Sequence, residues 1–155
     1  MLDVLLQHLD EFLSRHGVIT NVVLRTERSL LEEEEGTREV ALYFAASEEE
    51  LDKPVATLHL FPLDEQNTFE LEVEIEFARN DEEEVNQLWL ASQKIVPEVS
   101  LTEKKRYLSP GRLAESSIIL DYHFLLDLPK ANQDEQVLRQ TLERFAADLG
   151  KLIRL

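Results

Sequence analysis

The chain contains no cysteine, only four glycines and no long uninterrupted apolar run. The absence of cysteine excludes disulfides, thiolate-held zinc and cysteine nucleophiles. The glycines are isolated from one another, so no glycine-rich loop is present to cradle a phosphate group. No apolar stretch approaches the roughly 20 residues that span a bilayer, and the first residues lack the basic region of a signal peptide. We therefore expect a cytoplasmic protein with no membrane partner.

Acidic residues outnumber basic ones by two to one, with 32 Asp and Glu against 16 Lys and Arg, for a net charge of −16. The excess is confined to residues 1–97, which contain 23 acidic and 7 basic residues, whereas residues 98–155 contain 9 of each. Such a field repels nucleic-acid phosphates and attracts basic partners. We therefore expect no nucleic-acid partner. The alternative to a specific electrostatic partner is that the charge only keeps the protein soluble.

The most regular pattern is the run Phe-Glu-Leu-Glu-Val-Glu-Ile-Glu-Phe at residues 69–77. Because the side chains of a β-strand alternate between its two faces, this run predicts a strand with one apolar face and one acidic face. The acidic face carries Glu70, Glu72, Glu74 and Glu76. A strand that is half exposed in this way is typical of an antiparallel sheet, since parallel strands are usually buried on both faces.

The remaining chain alternates between strand-like and helix-like spacing of its apolar residues. Strand-like patterns predict further strands at residues 18–24, 40–46, 55–61 and 118–126. Helical spacing predicts helices at residues 1–16, at residues 81–96 and from about Asn132 to the C-terminus. Residues 98–116 show no regular pattern beyond a turn and a short strand near residues 106–108.

Together these elements predict a single domain, residues 1–155, of the α+β class. We expect an antiparallel sheet of about five strands with three helices packed on one face. The predicted order is α-β-β-β-β-α-(β)-β-α, and the short connections between the first four strands favour a meander of hairpins.

Residues 118–126 are apolar on both faces of the predicted strand, which favours a central strand or one covered by a partner. Ile119 and Leu125 lie on the face opposite its main apolar side. We expect these two residues, with the four glutamates of residues 70–76, to form a partner or dimer surface. The alternative is a solvated acidic face that deters edge-to-edge aggregation.

Among the four histidines, His59 and His123 are predicted to be neighbours on adjacent strands, with Asp121 on the same face as His123. A His–Asp pair can orient an imidazole for base catalysis. However, no serine stands in a nucleophile-like context, and no metal-binding histidine spacing occurs. We therefore expect no catalytic residue, no metal site and no cofactor. The alternative is a small-molecule-binding domain or enzyme, with a pocket between sheet and helices near these residues.

The basic residues of the irregular segment are Lys104, Lys105, Arg106 and Arg112, with Tyr107 between them. Basic residues interleaved with an aromatic ring are one way to bind single-stranded nucleic acid. The net charge of −16 disfavours that interpretation. Two others stay open: a contact with the acidic face, within one chain or between subunits, and a solvated loop.

The predicted order resembles the type III secretion chaperone-like fold. A leading helix, an antiparallel sheet, a helix late in the strand order and a closing helix carry the resemblance, together with small size and acidity. Within that group the chain is most similar to YbjN-like bacterial proteins, specifically a small cyanobacterial family. Two features depart from the secretion chaperones: four strands precede the second helix, and the basic segment 104–112 has no counterpart.

The resemblance spans nearly the whole chain and rests on element order and charge, so no family residue is transferred to a position here. It implies a homodimer that binds another protein and holds a segment of it unfolded. We therefore expect a non-enzymatic protein-binding module with a chaperone-like scaffold, whose partners are a second copy of the chain and a basic or unfolded protein segment.

Overall fold

The structure, a computed structural model, describes residues 2–26, 38–45, 56–62, 68–78, 81–127 and 135–155. Its elements are α1 (Leu2–Arg15), β1 (Ile19–Thr26), β2 (Arg38–Ala45), β3 (Ala56–Pro62), β4 (Thr68–Phe77), α2 (Glu82–Ile95), β5 (Ser100–Ser109), β6 (Arg112–Asp127) and α3 (Glu135–Ile153). This confirms the predicted α+β class and element order, including the extra strand before β6. The predicted start of the last helix, near Asn132, lies outside the described residues.

The described strands form one sheet of six, in the order β1-β2-β3-β4-β6-β5. Every neighbouring pair is antiparallel, and the first four strands form the predicted meander. Strand β6 pairs with β4 on one side and β5 on the other. Among the described strands, β6 has a neighbour on both sides only over residues 118–121, because its pairing with β4 ends at Ile118 and its pairing with β5 begins at Asp121. The prediction of a central strand therefore holds for these residues, whereas residues 122–127 pair with β4 alone.

One face of the sheet forms the floor of the core. Leu58, Val73 and Tyr122 lie side by side across β3, β4 and β6, and none is more than 5% exposed. The helices cover this face with apolar stripes that belong to the same buried cluster, and α1 and α3 also pack against each other. Full burial of a large aliphatic side chain contributes about 1.5–3 kcal/mol, so this face is a main source of stability.

The helix ends follow the local signals in the chain. Gly17 follows α1 with a φ of 70°, a left-handed conformation that glycine adopts without steric cost. Asp81 caps α2, because its carboxylate accepts hydrogen bonds from the backbone N–H groups of Glu83 at 2.9 Å and Glu84 at 3.3 Å. The helix ends before Pro97, as predicted.

The strand predicted within residues 98–116 was shorter than the strands that the structure contains there. Instead of an irregular segment with one small strand, the chain forms β5 and the first part of β6, joined by a two-residue turn of Pro110 and Gly111. Gly111 has a φ of 78°, and a proline followed by a glycine at positive φ matches a type II turn. The period-two signal is missing because every residue from 102 to 115 is exposed, so neither face selects apolar residues.

Removal of the core-facing side chain of Leu71 should cost far more stability than removal of its neighbour on the other face. Leu71 is 0% exposed, so Leu71→Ala is expected to lower the free energy of unfolding by about 2–5 kcal/mol. Glu72→Ala, the matched control, should change it by no more than about 0.5 kcal/mol. Urea denaturation followed by circular dichroism measures both values. Equal, small changes would mean that the apolar side of β4 does not face the core.

Candidate functional site

The side of the sheet that faces away from the helices carries a concentrated set of charged side chains. We give the name open face to nine of the described side chains on this side of β3, β4 and β6: His59, Glu70, Glu72, Glu74, Glu76, Ile119, Asp121, His123 and Leu125. They alternate in sequence with the buried residues of the same strands. The position of the core therefore determines which residues the open face contains.

All six residues predicted as a partner or dimer surface lie on the open face. Glu70 is directly opposite Leu125, and Glu76 is opposite Ile119, with Glu72 and Glu74 between them on β4. Leu125 is 65% exposed, and it lies in the part of β6 that pairs with β4 but not with β5. The structure thus brings the six residues together, while their role in binding stays a prediction.

At the two ends of the glutamate row, other side chains contact the carboxylates. Glu70 Oε1 lies 2.8 Å from His123 Nδ1. Glu76 Oε1 accepts a hydrogen bond of 2.7 Å from Ser117 Oγ and lies 3.9 Å from Lys104 Nζ. The charge of these outer glutamates is therefore partly compensated within the chain.

At the centre of the row, the carboxylates repel one another. Burial raises the pKa of Glu74 above its usual value, and a side-chain hydrogen bond with Glu72 and the charge of Glu72 raise it further. The charge of Asp121, opposite Glu74 on β6, acts in the same direction, while His59 lowers this pKa. The centre of the open face is therefore the place where an added cation would relieve most repulsion.

The predicted pairing of the histidines is wrong. His59 on β3 lies opposite Glu72 on β4, and Glu72 lies opposite His123 on β6, so a whole strand separates the two histidines. Asp121 accepts a hydrogen bond of 2.6 Å from Ser100 Oγ, while His123 contacts Glu70. Within the described residues, no group of three or more His, Asp or Glu side chains is arranged to hold a metal ion.

The paired strands β5 and β6 extend past the end of β4 as a two-stranded ribbon. The last pair between β4 and β6 is Phe77 with Ile118, so the residues of β6 before Ile118 pair only with β5. We call residues 103–115 the hairpin arm. Its tip carries three large apolar side chains, Tyr107, Leu108 and Leu113, which are 54%, 65% and 49% exposed. Sequence reasoning missed this surface, although apolar residues on both sides of a Pro-Gly turn were a visible signal.

The hairpin arm carries four basic and two acidic residues. Lys105 Nζ lies 3.0 Å from Glu103 Oε1, and Arg106 Nη2 lies 3.1 Å from Glu115 Oε1. Arg112 makes no ion pair with any other residue that the structure describes. Exposed ion pairs contribute little to stability and exchange readily. The arm is therefore a net positive surface on a strongly negative protein.

A cavity of about 550 Å³ lies between β6, α3 and the loop after α2. Tyr122, Phe124 and Phe145 line it together with Asp148. Tyr122 is 5% exposed, and its hydroxyl has no hydrogen-bond partner among the described residues. Burial raises the pKa of this hydroxyl, and the charge of Asp148 raises it further.

The cavity differs from the pocket predicted near His59, Asp121 and His123. Side chains of a strand alternate between faces, so these three residues project from the side of the sheet away from the helices. Of these three residues, only His123 contributes to the cavity lining. The cavity lies instead beside Tyr122, a buried residue on the core-facing side of β6.

Comparison with known proteins does not assign the chain to a family. No family model, no curated protein and no solved structure matches it. In the part of the chain that the structure describes, none of the helices combines the length and apolar character needed to cross a membrane. The features of the molecule that bear on its function are the open face, the hairpin arm and the cavity.

The pKa of Glu74 provides a direct test of the repulsion at the centre of the open face. In Glu72→Gln, the pKa of Glu74 should fall toward its usual value, because the neighbouring charge is removed. Part of the elevation should persist, since burial is its largest cause. An NMR titration of the side-chain carboxyl carbons measures the change. Glu103→Gln, on the hairpin arm, is the matched control and should leave the titration of Glu74 unaltered.

The same repulsion has a consequence for stability. Because the pKa of Glu74 is raised in the folded state, ionised Glu74 lowers stability as the pH rises through that pKa. Glu74→Gln should therefore raise the free energy of unfolding at neutral pH, by about 0.5 kcal/mol or less for a solvent-screened side chain. The gain should vanish at acidic pH, where Glu74 is protonated. A gain of equal size at both pH values would contradict the assignment.

Proposed function

We propose that this chain is a non-enzymatic protein-binding module with a chaperone-like scaffold, which acts as a homodimer in the cytoplasm. The open face is the binding surface. One observation carries this proposal: Leu125, 65% exposed, stands beside a row of carboxylates on the side of the sheet opposite the buried core residues. Protein interfaces combine an apolar centre with a polar rim, and on the open face Leu125 and Ile119 provide apolar groups next to the carboxylates.

The spacing of the glutamates favours an extended basic segment as the partner. Alternate residues of a strand are about 7 Å apart, so Glu70, Glu72, Glu74 and Glu76 form a row of charges with that repeat. An extended peptide with lysine or arginine at every second position has the same repeat. Its cations would lie opposite the carboxylates, and an apolar residue at its end would pack on Leu125.

The electrostatics of the open face supports binding of such a segment. Like charges side by side on a sheet are destabilising, and here Glu72 and Glu74 adjoin each other and Asp121. A cationic partner would remove this repulsion while it gains its own attraction. Binding should therefore lower the pKa of Glu74 and weaken as salt concentration rises.

Peptide titration tests the proposal. A peptide with alternating lysine and valine should bind more tightly than a peptide of the same composition in which the lysines form one block. Glu72→Gln with Glu74→Gln should weaken binding of the alternating peptide by about tenfold, which corresponds to about 1.4 kcal/mol. Isothermal titration calorimetry measures both comparisons. Equal affinity for the two peptides would mean that the open face attracts positive charge but does not recognise the spacing of the lysines, which contradicts the proposal.

Light scattering tests the homodimer. The wild-type chain is expected to be dimeric, and Ile119→Glu with Leu125→Glu should shift it toward the monomer, because charges are placed in the apolar part of the interface. Leu90→Glu, at an exposed leucine on α2, is the control. A wild-type monomer whose double variant stays folded and soluble would count against the homodimer.

A second candidate function, small-molecule binding, is favoured by the Tyr122 hydroxyl, which is buried and has no hydrogen-bond partner among the described residues. The cavity beside it has a volume within the ordinary range for ligand sites, about 300–1,000 Å³, and its lining is mainly apolar with a few polar groups. A buried hydroxyl without a partner costs stability. A ligand with an apolar body and one hydrogen-bonding group would satisfy it.

Tyr122→Phe separates a ligand site from a passive void. Without ligand, the variant should be as stable as the wild type or more so, because an unsatisfied buried hydroxyl is removed. A thermal-shift screen against metabolites and divalent metals should then find a compound that stabilises the wild type more than the variant. Failure of every compound, or a less stable variant in the absence of ligand, would contradict this second function.

A further inference from the structure

The hairpin arm exposes large apolar side chains that no contact within the described part of the chain covers. Every residue from 102 to 115 is exposed, on both faces of the ribbon. A two-stranded ribbon without further packing is marginally stable in water. Even so, the tip of this one presents Tyr107, Leu108 and Leu113 to solvent. Large apolar groups clustered at the end of a projection are typical of an interaction site.

The arm and the open face are complementary in both charge and polarity. The arm has more basic than acidic residues, and Arg112 at its tip makes no ion pair with another described residue. The open face is acidic, with repelling carboxylates at its centre. Each surface also presents exposed leucine side chains, Leu108 and Leu113 on the arm and Leu125 on the face.

The arm is directed away from the open face of its own chain. Lys104, at its base, reaches only the last glutamate of the row, Glu76, at 3.9 Å. Arg112 stands six residues along β6 from Ile118, where pairing with β4 ends, a distance of about 20 Å in an extended strand. The tip therefore cannot fold back onto Glu70, Glu72 and Glu74 without breaking the ribbon. Only the open face of another molecule is accessible to it.

We propose that the hairpin arm of one subunit lies on the open face of a second copy of this chain, and that the exchange is reciprocal. The proposal rests on the proposed function, since it takes the open face as a protein-binding surface and names its occupant. Two arms and two faces related by a two-fold axis make a closed dimer. Arg106 and Arg112 then lie opposite Glu72 and Glu74 of the other copy, and the leucines at the tip pack on Leu125.

Protection of an edge strand is the competing explanation for the lysines. Charged residues on an edge strand such as β5 discourage aggregation, and Lys104 and Lys105 fit that role. The same explanation fails for Tyr107, Leu108 and Leu113, because exposed apolar groups on an edge promote aggregation. Docking on a second copy accounts for both sets of residues.

Complementary charge reversal tests the exchange. The arm variant is Arg106→Glu with Arg112→Glu, and the face variant is Glu72→Lys with Glu74→Lys. In the arm variant acidic side chains meet the acidic face, and in the face variant basic side chains meet the basic arm. Each variant alone should therefore raise the dimer dissociation constant at least about a hundredfold. A mixture of the two in equal amounts should restore the dimer, because every arm then meets a face of opposite charge. Sedimentation velocity measures all three, with folding checked by circular dichroism.

Lys94→Glu with Lys151→Glu is the matched control, since it alters the net charge as the arm variant does but on the helices, where both side chains are exposed. It should leave the dimer intact. A wild-type monomer, an arm variant that stays dimeric, or a mixture of folded variants that stays monomeric would each overturn the exchange.

Cross-linking gives a second measurement that does not depend on charge. The chain has no cysteine, so Leu108→Cys with Leu125→Cys introduces the only two thiols, both at exposed positions. Mild oxidation should produce a covalent dimer on a non-reducing gel. Leu108→Cys with Leu90→Cys, an exposed position on α2, should stay monomeric under the same conditions. Equal cross-linking of both pairs would overturn the exchange.

The alternating peptide distinguishes this inference from the proposed function. In the arm variant the open face is intact and should be unoccupied, so the peptide should bind it more tightly than it binds the wild type. If the peptide binds the arm variant and the wild type equally, the face binds a basic segment but not the arm. If the peptide binds neither, the proposed function fails as well.

Discussion

Alternation of side chains along β4 ties the core of this protein to its charged surface. Leu71, Val73 and Ile75 are 0% exposed, and between them stand Glu72 and Glu74, which must lie on the other face. A slip of one residue against β3 or β6 would bury a row of carboxylates, each at a large desolvation cost. The burial that stabilises the fold therefore also specifies the register and the composition of the open face.

That constraint makes the open face electrostatically unfavourable on its own. The backbone of β4 is held by pairing on both sides, so Glu72 and Glu74 cannot move apart by more than their side chains allow. Among the described residues, His123 contacts Glu70 and Lys104 contacts Glu76, which are the two outer glutamates of the row. The raised pKa of Glu74 reports the repulsion that is left at the centre, after the contribution of burial. Negative charge that served only to keep the protein soluble could be spread over the surface, whereas here Glu72 and Glu74 are held next to each other on one strand.

Features that depend on local periodicity were predictable, and features that depend on strand order were not. The two faces of β4, the cap at Asp81 and the glycine after α1 each follow from a few adjacent residues. The separation of His59 from His123 depends on which edge of β4 receives β6, and no local pattern encodes that choice. The strands of the hairpin arm were not predicted, because exposure on both faces removes the alternation of apolar and polar residues on which strand prediction depends.

Strand β6 connects the two surfaces that the proposed dimer would use. Its second part, from Ile118 onward, pairs with β4 and places Asp121 and Leu125 on the open face. Its first part forms one side of the hairpin arm, where the pairing with β5 shifts register between Arg106 and Tyr107 and again between Tyr107 and Ser109. Because a single strand of 16 residues carries both, the register that buries Leu120 also determines where the arm points. Donor and acceptor surfaces are thus held in a constant relation within each chain, so every contact between copies repeats the same geometry. Two copies close into a symmetric pair when that geometry corresponds to a two-fold axis, and form an open chain when it does not.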